Sequence, residues 1–102
     1  MTVKLVVLYT QPENPEEFER HYAEVHVPLV HKVPGLQRLE AGRLVAAADN
    51  GELSYYRIAE LTFADQDALQ AGLGSEEGRA TAADFAQIAP PGSRLFVAAV
   101  DG

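Results

Sequence analysis

Three histidines, His21, His26 and His31, fall at intervals of five residues in one stretch of the chain. Imidazole both binds metals and moves protons near neutral pH, so the spacing has to separate the two uses. At about 100° per residue, a step of five on an α-helix turns the side chain by roughly 140°. The three rings are therefore expected to point in three directions. Metal ligands on one helix must share a face, as the i, i+4 histidines of HExxH do, and no such pair exists here, so no metal site is expected. His26 lies four residues after Tyr22 and next to Val25, at the border of an apolar stripe. There it is either a general acid or base tuned by partial burial, or a half-buried histidine bonded to backbone or to Tyr22. His21 and His31 lie off the stripe and are expected in solvent, His31 favouring the helix C-terminus.

The tyrosines are Tyr9, Tyr22, Tyr55 and Tyr56. Each supplies apolar area with one hydroxyl, which suits either a pocket for a small apolar ligand carrying an oxygen or a core position with its hydroxyl at the rim. Strand alternation sends Tyr55 and Tyr56 to opposite faces, so only one can line a given pocket. Tyr9, Tyr56, Phe18 and Phe85 are the candidate ligand-binding residues, with His26 and Tyr22 as the candidate catalytic pair. Arg57 and Glu60 face a cavity or solvent according to strand register. Asp84, just before Phe85, reads as a solvated acid. There is no GxGxxG, P-loop, nucleophile elbow or paired-carboxylate motif, so no cofactor is expected.

The elements that must position these groups follow from pattern. Val3 to Tyr9 is β-branched and aromatic and reads as a strand covered on both faces. Asn14 and Pro15 open a helix with Glu16 and Glu17 in its first turn. Phe18, Tyr22, Val25 and Leu29 form its apolar stripe; Pro28 is expected to kink it, and Pro34-Gly35 to end it. Leu36 to Val45 and Ser54 to Phe63 form a hairpin around the Asp49-Asn50-Gly51 turn. A helix near Ala68 to Leu73 is expected to be interrupted by Gly72 and Gly74. Ser75 caps another, running to about Ile88, and Leu95 to Val100 is the last strand.

The order β-α-β-β-α-β predicts an α+β, ferredoxin-like fold, a four-stranded antiparallel sheet with helices on one face. Helices on one face leave the other bare, yet the first strand is apolar on both. Exposed, that face would be an interaction patch, so a second copy is expected to cover it, making a homodimer sheet to sheet.

The 102 residues suffice for a single domain, 1–102, with one core. The net charge of −7 without a basic cluster argues against nucleic acid. No stretch is long and apolar enough for a membrane span, and no signal peptide is recognisable. The absence of cysteine rules out disulfides and thiolate metal sites and fits a cytoplasmic setting.

Phe18-Glu19-Arg20-His21-Tyr22-Ala23-Glu24-Val25-His26-Val27-Pro28, followed by Val33-Pro34-Gly35, resembles the EthD family. The shared signature is an aromatic-xxx-Tyr-xxx-His-x-Pro helix closely followed by Pro-Gly. Ala59 to Phe63, Ser75 to Gly78 and Asp84-Phe85-Ala86 are similar to later parts of the family in the same order. The resemblance implies a dimeric α+β barrel. The family is named for a protein required in ethyl tert-butyl ether breakdown, and its members are often labelled oxidoreductases. Related barrels include cofactor-free enzymes acting on small aromatic or lactone-like molecules. His26 would then be the family's cleft histidine, with Tyr22 beside it. The function expected is a cofactor-independent enzyme moving a proton on a small, largely apolar or aromatic metabolite. The alternative is a non-catalytic metabolite-binding or accessory protein of a catabolic pathway.

Overall fold

A computed structural model describes residues 1–101. Strand β1 (Val3–Tyr9) leads into α1 (Pro15–His21), a π-helical turn (Tyr22–His26) and α2 (Val27–His31). Then follow β2 (Arg38–Arg43), β3 (Arg57–Phe63), α3 (Gln66–Gly74), α4 (Glu76–Ile88) and β4 (Arg94–Ala99). The sheet order is β2-β3-β1-β4 with every pair antiparallel, the ferredoxin-like arrangement.

The helix starts are built from short polar side chains. Asn14 accepts the Glu17 N–H at 3.2 Å, Asp65 that of Ala68 at 2.8 Å, and Ser75 that of Gly78 at 3.0 Å. Helix α3 runs through Gly72 to Gly74, because tertiary packing overrides the glycine cost there. Gly72 lies so close to the Pro34 carbonyl that a Cβ would sit 2.6 Å from it. The hairpin strands are shorter than the pattern suggested. Pairing ends with Leu44 bonding to Tyr56, and residues 45 to 55 form the connection.

Alternation along β1 sends Val3, Val7 and Tyr9 toward the helices, where they meet Ala59, Leu61 and Phe63 of β3. Phe18, Tyr22, Val30, Val33 and Leu69 close this core from above. The opposite face carries Lys4 bonded to Glu60 at 3.4 Å, Arg38 paired with Glu40 at 3.4 Å, and apolar Val6, Leu8, Ile58 and Phe96. No described residue covers that face, and Phe96 is 41% exposed.

Helix α4 packs on α2, α3 and the π turn rather than on β4. Every residue of β4 is consequently exposed, even on the helix side. That stand-off opens a space between α4 and the sheet.

Candidate functional site

Pro28 has no N–H to give to the Glu24 carbonyl, so the regular i→i−4 ladder cannot run through it. Just before it, the Val27 N–H reaches back to the Tyr22 carbonyl, five residues away. This is the π turn, and it adds one residue to a turn. The core-facing series becomes Phe18, Tyr22, His26, Val30 and Val33. Val25, expected on the stripe, is 41% exposed, and His26 takes an interior position at 5% exposure.

The same turn overturns the expectation that the three histidines diverge. With about one turn between residues five apart, His21 and His26 come to the same side. Both meet Asp84 on α4. His26 Nδ1 is 2.8 Å from Asp84 Oδ2, and His21 Nε2 is 2.8 Å from Oδ1. Asp84 is a buried acid shared by two imidazoles, not the solvated residue expected. His21, expected in solvent, is half-buried for the same reason, while His31 is exposed.

Burial works against charge on His26 and holds its pKa below the ordinary value, although Asp84 pulls the other way. A neutral ring that donates Nδ1–H to the carboxylate leaves a lone pair on Nε2. Burial also disfavours the Asp84 carboxylate, but hydrogen bonds and attraction from the two imidazoles outweigh it and lower its pKa. The Tyr9 hydroxyl lies 3.5 Å from His26 Nε2, and burial raises its pKa far above the usual range, so it remains a donor.

Tyr22 stacks on His26 with centroids 5.5 Å apart, and the Arg57 guanidinium lies 4.5 Å from the Tyr22 ring centre. The register pairing Tyr9 with Arg57 turns Arg57 inward, while Glu60 faces the other side of the sheet. Glu19 holds Arg57 through both carboxylate oxygens and accepts the Tyr56 hydroxyl at 2.9 Å. Those bonds and the Arg57 charge lower the Glu19 pKa despite the opposing effect of burial.

A cavity of about 360 Å³ lies between these groups and α4. Val7, Leu61, Leu73, Phe85 and Leu95 supply apolar walls; Tyr9, Tyr22, His26 and Thr81 are its polar-bearing residues. The Thr81 hydroxyl donates to the Glu77 carbonyl at 2.9 Å. Gly78 lets α4 approach the end of α3, since a Cβ there would stand 2.1 Å from the Gly72 carbonyl oxygen. Among the described residues, no three His, Asp or Glu side chains are grouped to hold a metal ion.

Of the expected site residues, His26, Tyr22, Tyr9 and Phe85 share this cavity. Phe18 and Tyr56 do not line it. Phe18 packs behind Tyr9 at 5.4 Å between centroids, and Tyr56 packs against Phe18 with its hydroxyl on Glu19. Sequence reasoning missed the Asp84 bridge, Arg57 beside Tyr22, and Leu95 at the cavity wall. Only the Asp84-Phe85 resemblance pointed to that part of α4.

Residues 10–91 match the EthD domain. An uncharacterised 11.0 kDa protein from the thcB–thcC intergenic region of Rhodococcus erythropolis is 34% identical over 93 residues, covering 91% of this chain and 89% of that protein. An EthD family protein of Bacillus halodurans C-125 superposes with a TM-score of 0.92 at 34% identity, over 99% of this chain and 100% of the other. More distant structures share the fold. SnoaB, a cofactor-independent oxygenase from Streptomyces nogalater, gives a TM-score of 0.72 at 20% identity over 99% of this chain and 94% of its own. A dimeric ferredoxin-like protein of unknown function from Thermobifida fusca YX gives 0.74 at 15%, over 98% and 92%. With the domain matched from residue 10 to 91 and relatives aligned over nearly its full length, the chain belongs to the EthD family.

Proposed function

We propose that the protein is a cofactor-independent enzyme that moves a proton on a small, largely apolar organic molecule, with His26 as the base. The observation that carries this is a buried imidazole at an apolar cavity, its Nδ1 fixed by a carboxylate 2.8 Å away. Such a histidine holds one tautomer and offers Nε2 to a C–H or O–H acid, and depression of its pKa keeps it unprotonated at neutral pH. Tyr22 supplies a hydroxyl for a substrate oxygen on which charge develops, and Tyr9, its hydroxyl facing His26 Nε2, lines the binding cavity beside it. Phe85 and the aliphatic walls favour an aromatic or alicyclic body. Phe18 and Tyr56 support the site from behind. A cavity of about 360 Å³ is within the range that holds metabolite-sized ligands. The fold shared with a cofactor-independent oxygenase fits chemistry run by protein side chains.

The working unit in this reading is a cytoplasmic homodimer, joined through the uncovered sheet face. Support comes from the apolar Val6, Leu8, Ile58 and Phe96 there, Phe96 being exposed, and from a structural neighbour described as dimeric.

The test is a proton NMR titration of the imidazole signals against a panel of small aromatic and lactone compounds, repeated with His26→Ala. The reading expects one class of compound to shift the His26 signal selectively and to be converted only by the wild type. Conversion at full rate by His26→Ala would remove His26 from the mechanism. Binding without conversion by either protein would identify a metabolite-binding protein instead.

A further inference from the structure

Two hollows flank the bridged imidazoles. His26 lines the apolar cavity, whereas half-exposed His21 lines a separate outer groove bordered by Gln11, Glu13, Asn14 and Gln87. Asp84 stands between them, with one oxygen 2.8 Å from each ring. A base that becomes a cation inside an apolar cavity is disfavoured unless positive charge is lost nearby. A second cation facing the same carboxylate is also disfavoured by repulsion from the first.

Building on the reading of His26 as the base, we propose that His21 is the outer member of a proton-exchange pair with His26, coupled through Asp84. His26 Nε2 takes a proton from the bound molecule and becomes an imidazolium. His21 then gives its Nδ1 proton to water in the groove and becomes neutral. His26 keeps its Nδ1–H and His21 its Nε2–H, both donated to Asp84, so no proton crosses the carboxylate. One cation faces one anion before and after. One proton leaves the bound molecule and one enters the groove, without an oxidant or co-reactant. His21 acts through Asp84, never on the bound molecule.

The other titratable or charged groups around the pair include Tyr22 stacked on His26, Tyr9 from β1, Arg57 from β3 beside the Tyr22 ring, and Glu13 and Glu17 along the groove. Arg57 is already matched by Glu19.

The experiment is a proton NMR titration of the imidazole signals in the wild type and in His21→Gln, whose amide can still donate to Asp84 but cannot titrate. Expected in the wild type is a His26 curve that rises in two steps. In His21→Gln, His26 titrates in a single step with its midpoint raised by about one unit, a tenfold gain in proton affinity. An unchanged His26 curve overturns the proposal, because it gives His21 a purely structural role. A His26 signal that fails to titrate in both proteins overturns it as well. A midpoint shift in His21→Phe but not in His21→Gln does the same, since it follows the hydrogen bond and not the charge. The underlying reading is judged separately with para-nitrophenol, whose ionised form is coloured. Para-nitrophenol added at a pH where it is un-ionised in water, shown to be bound by shifts of the Tyr22 ring signals, and still un-ionised in the cavity removes His26 as the base. Ionisation with an unchanged His26 curve in His21→Gln removes only the exchange pair.

Discussion

His26 and Asp84 stand 58 positions apart in the chain, yet Nδ1 of one lies 2.8 Å from Oδ2 of the other. The contact joins the π turn of the first helical segment to the middle of α4, and both side chains are buried. The carboxylate orients a ring that would otherwise be an unsatisfied polar group in an apolar setting.

Replacing Asp84 by alanine leaves two imidazole N–H groups without their acceptor, one of them fully interior. The expected cost is about 1–3 kcal/mol of unfolding free energy, read as a lower urea midpoint with an unchanged slope. The His26 midpoint should also fall, because the carboxylate that favours its charged form is gone. A stability change confined to a few tenths of a kcal/mol would mean that water replaces the carboxylate without loss.

The pH dependence of stability follows from the two depressed pKa values. His26 is lowered chiefly by burial, so folding favours its neutral form. That contribution is complete above the unfolded value, roughly 6.5, and is lost as pH falls from there through the lower folded value. Asp84 is also lowered in the fold, so its contribution is present above the unfolded value, roughly 3.9, and disappears at more acid pH. Urea midpoints should therefore decline in two stages on acidification. His26→Gln should flatten the upper stage and leave the lower one; an identical profile would assign the upper stage to another group.

Gly78 tests the packing of α4 on α3. A methyl group at this position meets the Gly72 and Leu73 carbonyl oxygens at 2.1 and 2.6 Å. Backbone cannot move aside as a flexible side chain can, so Gly78→Ala should destabilise by about 3 kcal/mol, measured by thermal or urea unfolding. Wild-type stability would show that the helices can separate freely.

Val6 lies on the uncovered face beside Phe96. Under the dimer proposal, Val6→Lys puts a charge into an apolar contact and should yield a folded monomer by light scattering, with the wild type twice that mass. An unchanged mass for the variant places the interface elsewhere.

The strands and helices were legible because their apolar residues repeat at periods of two and near four, and because their ends carry Asn14, Asp65, Ser75, prolines and turn residues. The second sheet face was legible too, since Val6 and Leu8 alternate with Val7 and Tyr9. The candidate site was only half legible. Tyr22 and His26 stood out by resemblance, and Tyr9 and Phe85 by residue type. Phe18 and Tyr56 share those types but sit one layer behind the cavity.

The sequence by itself determined the βαββαβ order, the helix starts, the bare sheet face and the helix on which the histidines lie, all set by neighbours a few residues apart. Only the tertiary structure decided how those histidines are used. The five-residue spacing looked divergent at α-helical pitch, but the π turn before Pro28 brings His21 and His26 to one side. Their common partner arrives on α4, whose place depends on Gly78 and on its packing against α2 and α3. A local pattern carries the period of a regular helix; it carries neither the irregular turn nor the distant carboxylate that turn serves.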